Sequence, residues 1–181
     1  ICRKRGLLNY FIVVSFFKKF FKKKNKLSYN EYKTSVVKRI DSFKQTISEK
    51  KTVSFLHFGH LGDIINSLPV IKELSKTREC SLYLQINKKI PKHVVSRDHP
   101  FGEVYLSEKS ISKIMPLLKN QAYIKNVEIF DNQKIDIDLN FFRELPLNFN
   151  IDSVRWYFHI TGLFPDLSKS YLEVLENNKF K

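Results

Sequence analysis

A glycine-bounded turn carries the residues of this sequence that are best suited to chemistry. Gly59 and Gly62 bracket a four-residue turn that also contains His60, and Asp63 follows directly. Only five glycines occur in the chain, and two lie here, so the backbone of the turn is expected to need unusual torsions or a close approach. A carboxylate at Asp63 could take a proton from a bound hydroxyl. It could equally serve only to cap the helix that follows.

The elements around this turn predict where it lies in a fold. Residues 53–58 form a short apolar run rich in strand formers, which indicates a buried strand. Beyond the turn, apolar residues at helical spacing predict a helix over residues 64–76. Pro69 requires either a late-starting first turn, capped by Asn66 or Ser67, or a kink. A strand, a glycine turn and a helix open a Rossmann-like sheet, whose ligands bind beyond the carboxyl ends of the strands.

The same spacing excludes two common nucleotide sites. The Gly-x-x-Gly turn lacks the G-x-G-x-x-G arrangement of dinucleotide-binding folds, and no Gly-Lys-Ser/Thr follows as in a P-loop. A metal site is not expected either, because His57, His93, His99 and His159 show no ligand spacing with Cys2 and Cys80. Two cysteines also exclude a disulfide-rich scaffold and favour a reducing compartment.

The rest of the chain fits an α/β architecture. An amphipathic pattern predicts a helix over residues 28–49, and apolar runs predict strands at 80–86, 104–106 and 127–130. Further helices are expected over 111–118 and from Asp152 to Gly162. Asp136 and Asp138 alternate with apolar residues, either as a glycosidase-like pair or as acids on a solvent-facing edge strand. Arg143 and Arg155 could bind an anion of a ligand or form surface salt bridges.

Charge divides the chain into an arm and a domain. Residues 1–51 carry a net charge of +12 and residues 52–181 only +2, within 181 residues that correspond to about one domain plus an appendage. We therefore predict a Rossmann-like parallel sheet flanked by helices over residues 52–181. A basic amphipathic N-terminal helical arm is predicted over residues 1–51.

The arm combines lysines with apolar side chains in a way that is typical of membrane surfaces. Its largely apolar run, residues 7–17, is shorter than the ~18 residues needed to cross a bilayer. The lysines that follow are expected to face anionic lipid; they are Lys18, Lys19, Lys22, Lys23 and Lys24. Nucleic-acid binding is the competing explanation of the charge, but continuous apolar sequence beside it favours lipid. The apolar run could also pack on the domain and leave the lysines solvated.

Residues 58–74 resemble the first strand–helix unit of heptosyltransferase-like glycosyltransferases. In that family a Gly-Asp pair, a few small or apolar residues and a Leu-Pro open the first helix, as in Gly62-Asp63-Ile64-Ile65-Asn66-Ser67-Leu68-Pro69 here. Residues 119–124, 138–143 and 171–172 are also similar to sugar transferases. The resemblance implies a GT-B architecture, with two Rossmann-like domains that bind the acceptor and the nucleotide-sugar donor respectively.

The resemblance also implies roles for individual residues. Asp63 matches the aspartate that acts as the catalytic base of the family, and His60 could donate to a phosphate or sugar oxygen of the acceptor or else point at solvent. Substrate binding is expected of Gly59, His60, Gly62 and Asn66 in this segment, and also of Arg143, which is a candidate because of its residue type. Because the sequence begins with Ile1 and ends at Lys181, we expect it to be the acceptor-binding half without the donor domain. No cofactor is expected in this half.

The sequence thus predicts the acceptor-binding half of an inverting hexosyl- or heptosyltransferase. Its acceptor is expected to be a membrane-associated glycan or glycolipid such as bacterial lipopolysaccharide. The basic arm would hold the enzyme at the cytoplasmic face of the cell membrane, and no nucleic-acid partner is expected. The alternative is a non-catalytic Rossmann-like module that binds an anionic lipid or glycan.

Overall fold

A computed structural model describes residues 29–91, 102–145 and 152–174 of the chain. The predicted membrane-binding lysines (Lys18, Lys19, Lys22, Lys23 and Lys24) and His93 and His99 lie outside these residues. Within the three described ranges, every helix is too short or too polar to cross a membrane.

A four-stranded parallel sheet forms the centre of the fold. The strands are β1 (Thr52–His57), β2 (Glu79–Leu84), β3 (Asn126–Ile129) and β4 (Ile137–Asp138), in the order β3-β2-β1-β4. In β1 the side chains of Val53, Phe55 and His57 are buried, and Phe55 pairs in register with Leu82 of β2. The predicted α/β class with a parallel sheet is confirmed, and all four strands lie within two residues of their predicted positions, with β4 at an edge of the sheet.

In the described part of the chain, four α-helices and one short 3₁₀ helix accompany the sheet. They are α1 (Tyr29–Glu49), α2 (Leu61–Ser75), α3 (Glu108–Lys119), α4 (Val154–Thr161) and the 3₁₀ helix Leu139–Glu144. The chain divides into two compact units, residues 1–39 and 40–181, with the boundary inside α1. The sheet and the other helices belong to the second unit, where Phe43 of α1 packs edge-on against Phe141 at 5.8 Å. Gly162 ends α4 in the left-handed conformation, as its position predicts.

The structure changes one sequence-based expectation, decides between the two positions considered for Pro69 and adds one element. Residues 104–106 are not a strand of the sheet; they form an antiparallel ribbon with residues 87–90, in which Tyr105 N donates to Lys88 O at 3.0 Å. A short apolar run does not by itself distinguish a sheet strand from such a ribbon. Pro69 lies inside α2, not in a late-starting first turn, because the fully buried neighbours Leu68 and Val70 hold this part of the helix in the core. The 3₁₀ helix was not predicted.

The two alternating aspartates serve separate structural roles. Asp136 pairs with Lys50 of the α1–β1 connection and accepts a hydrogen bond from Ser54 N of β1 at 3.0 Å. Asp138 instead caps the 3₁₀ helix by accepting from Asn140 N at 2.9 Å. Neither aspartate is a free acid on a solvent-facing edge, and they do not form a glycosidase-like pair, because each carboxylate is bonded to a different part of the backbone.

Asp136→Asn is expected to lower the free energy of unfolding by about 1–2 kcal/mol at pH 7, since the charge that holds Lys50 and Ser54 is lost. Partial burial acts to raise the pKa of Asp136, but the hydrogen bonds from Lys50 and Ser54 outweigh it and leave the pKa below its ordinary value. A lowered folded-state pKa stabilises the fold above the unfolded pKa of ~3.9, and this contribution is lost as the pH falls through the folded value.

Urea unfolding at several pH values measures this effect. The difference between the wild type and Asp136→Asn should shrink as the pH falls below 4. Asp131→Asn, which changes an exposed carboxylate in the loop before β4, is the matched control and should alter stability by less than about 0.5 kcal/mol. Equal stability of Asp136→Asn and the wild type at pH 7 would contradict the assignment.

Candidate functional site

Asp63 and Arg143 meet at the carboxyl-terminal edge of the sheet. Asp63 lies in the first turn of α2, which follows β1, and Arg143 lies in the 3₁₀ helix, which follows β4. Because β1 and β4 are parallel neighbours, the segments after them leave the sheet at the same edge. Arg143 Nη2 donates to Asp63 Oδ2 at 2.6 Å, and the two side chains are 25% and 21% exposed. The pair is therefore held in place yet open to a ligand.

Asn140 connects the two segments that carry this pair. Its side chain is buried, and its Oδ1 accepts from Phe58 N at 3.0 Å in the turn after β1. Its Nδ2 donates to Asp138 Oδ1 at 2.7 Å and to Leu56 O at 3.3 Å. This amide fixes the start of the 3₁₀ helix against the end of β1. The distance between Arg143 and Asp63 therefore depends on Asn140, which the sequence pattern did not single out.

The Asp63 carboxylate also caps its own helix. Asp63 is the third residue of α2, and its Oδ2 accepts from the backbone N–H of His60, the N-cap residue, at 3.2 Å. Asp63 therefore caps its helix, and the oxygen that does so also accepts the ion pair from Arg143. Among the described residues, none donates a hydrogen bond to Asp63 Oδ1. That oxygen is available to accept from a ligand.

Gly59 allows the backbone to pass between the site residues. A Cβ at this position would lie 2.6 Å from His57 Cε1, 2.7 Å from Arg143 Nη2 and 2.8 Å from Asp63 Cβ. The scarcity of glycine in the chain therefore indicated a real close approach here. The expected close approach is absent at Gly62, because a Cβ there would meet no atom within 4 Å.

Aromatic rings surround the guanidinium group of Arg143. Its Cζ lies 4.4 Å from the ring centre of Phe142 and 4.7 Å from that of Tyr105, distances typical of cation–π contacts. Tyr105 reaches the site from the ribbon described above, and its ring also lies 5.5 Å from the ring of His60. Arg143 Nε is buried and has no hydrogen-bond partner among the described residues. The rings pack against the guanidinium while its Nη2 binds Asp63.

A buried histidine and a buried tyrosine lie directly beneath the pair. Gly59 N donates to His57 Nδ1 at 2.9 Å, which places the ring proton on Nε2. His57 Nε2 then donates to Tyr157 Oη at 3.0 Å, and Tyr157 Oη donates to Asp63 O at 2.8 Å. Burial lowers the pKa of His57 to about 3 and raises that of Tyr157, so both side chains are neutral at pH 7. The only sign of this chain of hydrogen bonds in the sequence is a histidine at the end of an apolar strand.

The structure brings together four of the six predicted site residues. Asp63 accepts from His60 N and from Arg143, and Gly59 lies against both Asp63 and Arg143, whereas Gly62 is exposed. Asn66 lies further along α2 and donates through Nδ2 to Ser153 Oγ at 2.6 Å, just before α4. Among the described residues, no three His, Cys, Asp or Glu side chains are placed to hold a metal ion.

The arrangement can bind a hydroxyl-bearing ligand. Asp63 Oδ1 offers an acceptor, and the guanidinium beside it can orient a second oxygen of the same ligand. Comparison of the chain with protein-family models, with curated proteins and with solved structures finds no match. The resemblance to heptosyltransferase-like enzymes therefore depends on the sequence motifs alone, chiefly the one around Asp63.

Proposed function

We propose that this chain is the acceptor-binding half of an inverting glycosyltransferase that acts on a membrane-associated glycan, such as lipopolysaccharide. The observation that supports the proposal most directly is the Asp63–Arg143 pair, which lies partly exposed at the carboxyl-terminal edge of a parallel sheet. This edge is where open α/β sheets bind their ligands. The motif that resembles the glycosyltransferases includes the same aspartate.

In the proposed reaction Asp63 Oδ1 accepts the hydrogen bond of an acceptor hydroxyl. As the hydroxyl oxygen forms a bond to the anomeric carbon of the donor, its proton passes to Asp63 and the nucleotide leaves with the electron pair of the broken bond. Arg143 and the backbone N–H of His60 hold Oδ2, so that Oδ1 faces the acceptor. The nucleotide sugar would bind to a second domain, as the resemblance implies.

Binding to a membrane would explain why the basic residues are concentrated in the predicted arm, residues 1–51. Lysines beside an apolar segment would hold residues 52–181 at an anionic membrane surface, where a lipid-linked acceptor lies. A location on the cytoplasmic face of the membrane is part of the same proposal.

One observation favours the rival function, a non-catalytic module that binds an anionic lipid or glycan. Oδ2 of Asp63 already accepts hydrogen bonds from Arg143 and from His60 N, which are the partners of a structural carboxylate. In a binding module the pair would hold the sugar hydroxyls without taking a proton. The two functions therefore differ in whether the charge of Asp63 matters for turnover or only for binding.

Asp63→Asn in the whole gene product is expected to lower kcat at least about a hundredfold, because the amide cannot take the acceptor proton. Acceptor binding should change little, since Asn retains an oxygen at the same place. The assay measures sugar transfer from a panel of nucleotide sugars to lipopolysaccharide core oligosaccharides, and calorimetry measures oligosaccharide binding. Asp131→Asn is the control, because it removes an equal charge from an exposed loop.

One outcome tests the role of Asp63 and the other separates the two functions. A wild-type rate in Asp63→Asn would remove Asp63 from the mechanism. Oligosaccharide binding without transfer by the wild-type protein, from any donor in the panel, would support the binding module instead.

A further inference from the structure

We infer that His57 and Tyr157 are positioning residues, which fix the Asp63 carboxylate through the backbone on either side of the turn. This inference rests on the proposed function of Asp63. Its basis is the chain of hydrogen bonds from Gly59 N through His57 and Tyr157 to Asp63 O, with lengths of 2.9, 3.0 and 2.8 Å. The chain begins and ends on the backbone of the turn that bears the site.

The chain of hydrogen bonds joins three secondary-structure elements, β1, α4 and α2, and the turn between β1 and α2. His57 is the last residue of β1, Tyr157 is in the middle of α4, and both are fully buried. The tyrosine hydroxyl accepts one hydrogen bond and donates one, so its two partners must stay at fixed positions. Helix α4 thus determines how far the first turn of α2 lies from the end of the sheet. The position of the Asp63 carboxylate is set in the same way, because Asp63 belongs to that turn.

The placement of the two polar side chains favours a role beyond packing. A buried polar pair stabilises a fold no better than apolar side chains of the same shape, since each group must first be removed from water. Here Tyr157 bonds to the backbone of Asp63, and His57 Nδ1 accepts from Gly59, where an added Cβ would lie within 2.8 Å of three side chains. Asp63 and Arg143 are the charged groups that act on His57. The pair therefore connects the geometry of the turn to that of the ion pair.

Tyr157→Phe removes the hydroxyl that connects His57 to the Asp63 backbone and keeps the aromatic ring. We expect the Gly59 amide to exchange with solvent about tenfold faster in this variant, because the histidine that accepts from it loses its own partner. The Arg143 Nη protons, held by Asp63, should exchange faster by a similar factor. Nuclear magnetic resonance of the chain, with residues 1–181 intact, measures both rates. In the whole gene product the variant should lower kcat and leave the acceptor KM unchanged.

Tyr123→Phe is the matched control. Tyr123 Oη also donates to a backbone carbonyl, that of Tyr171 at 2.7 Å, but it lies in the connection between α3 and β3. Its loss should leave the exchange of the Gly59 and Arg143 protons unchanged. A purely structural role for Tyr157 would instead lower the melting temperature as Tyr123→Phe does, without a selective change at the site.

A second measurement needs no variant. In the wild-type chain the ¹⁵N spectrum of His57 should show a neutral ring with the proton on Nε2. A proton on Nδ1, or a charged ring at pH 6, would overturn the inference even if Tyr157→Phe fails to fold. Neither the exchange rates nor the ¹⁵N spectrum depends on the acceptor or on sugar transfer. The inference can therefore fail while the proposed function stands. Loss of transfer only in Asp63→Asn, with full kcat in a folded Tyr157→Phe, would be that case.

Discussion

Gly59→Ala is expected to lower the free energy of unfolding by about 3 kcal/mol and to separate Arg143 from Asp63. The new methyl group would lie within 2.8 Å of atoms of His57, Arg143 and Asp63, all closer than real Cβ contacts allow. Arg143 can swing away, but only by giving up its hydrogen bond to Asp63 Oδ2. His57 is fully buried and is held at both ring nitrogens, so it can move only with the strand that carries it.

Gly62→Ala is the matched control three residues away. A Cβ at this position meets nothing within 4 Å, and residue 62 lies in the first turn of α2. Alanine there should raise stability by a few tenths of a kcal/mol up to about 1 kcal/mol, because glycine is the poorer helix former. Urea unfolding of both variants measures the contrast. Equal stabilities for Gly59→Ala and Gly62→Ala would refute the close packing of the turn.

The stability of the wild-type chain should fall by about 3 kcal/mol between pH 7 and pH 4 on account of His57 alone. Burial lowers the pKa of His57 to about 3 in the folded state, against ~6.5 in the unfolded chain. Between these values the unfolded chain binds one more proton than the folded one. The stabilisation is therefore complete above pH 6.5 and is lost as the pH falls toward 3.

His57→Gln should remove this part of the pH dependence. The glutamine side chain does not titrate in this range, so the variant is expected to be less stable at pH 7 but to lose less stability on acidification. Urea unfolding at pH 7 and pH 4 gives the two differences, and the titration of the carboxylates is common to both proteins. His159→Gln is the control, because His159 is an exposed residue of α4. The same pH dependence in His57→Gln and the wild type would show that His57 is charged or exposed in the folded protein.

Local patterns were enough to predict much of the fold. Alternating or continuous apolar residues placed β1, β2 and β3 correctly, because each strand is short and is bounded by polar or glycine residues. Helical spacing placed α1 and α3, and the glycine at 162 marked the end of α4. The apolar run at residues 104–106 was wrongly assigned to the sheet, because its backbone hydrogen bonds go to residues 87–90.

At the site, the turn and its aspartate could be predicted from local sequence. Two of five glycines beside an Asp at the end of an apolar strand require a tight bend and place a carboxylate beyond that strand. Arg143 was a candidate only by residue type.

The contacts of Asp63 could not be predicted in this way and depend on how the chain packs. Arg143 is 80 residues away in sequence and Tyr157 is 94, and no local pattern encodes a contact over such a separation. The pairing of β1 with β4 brings the arginine to the edge, and the packing of α4 places the tyrosine beneath it. Long-range contacts depend on how complete elements pack together, so they arise from the sheet order and not from the residues on either side of the aspartate.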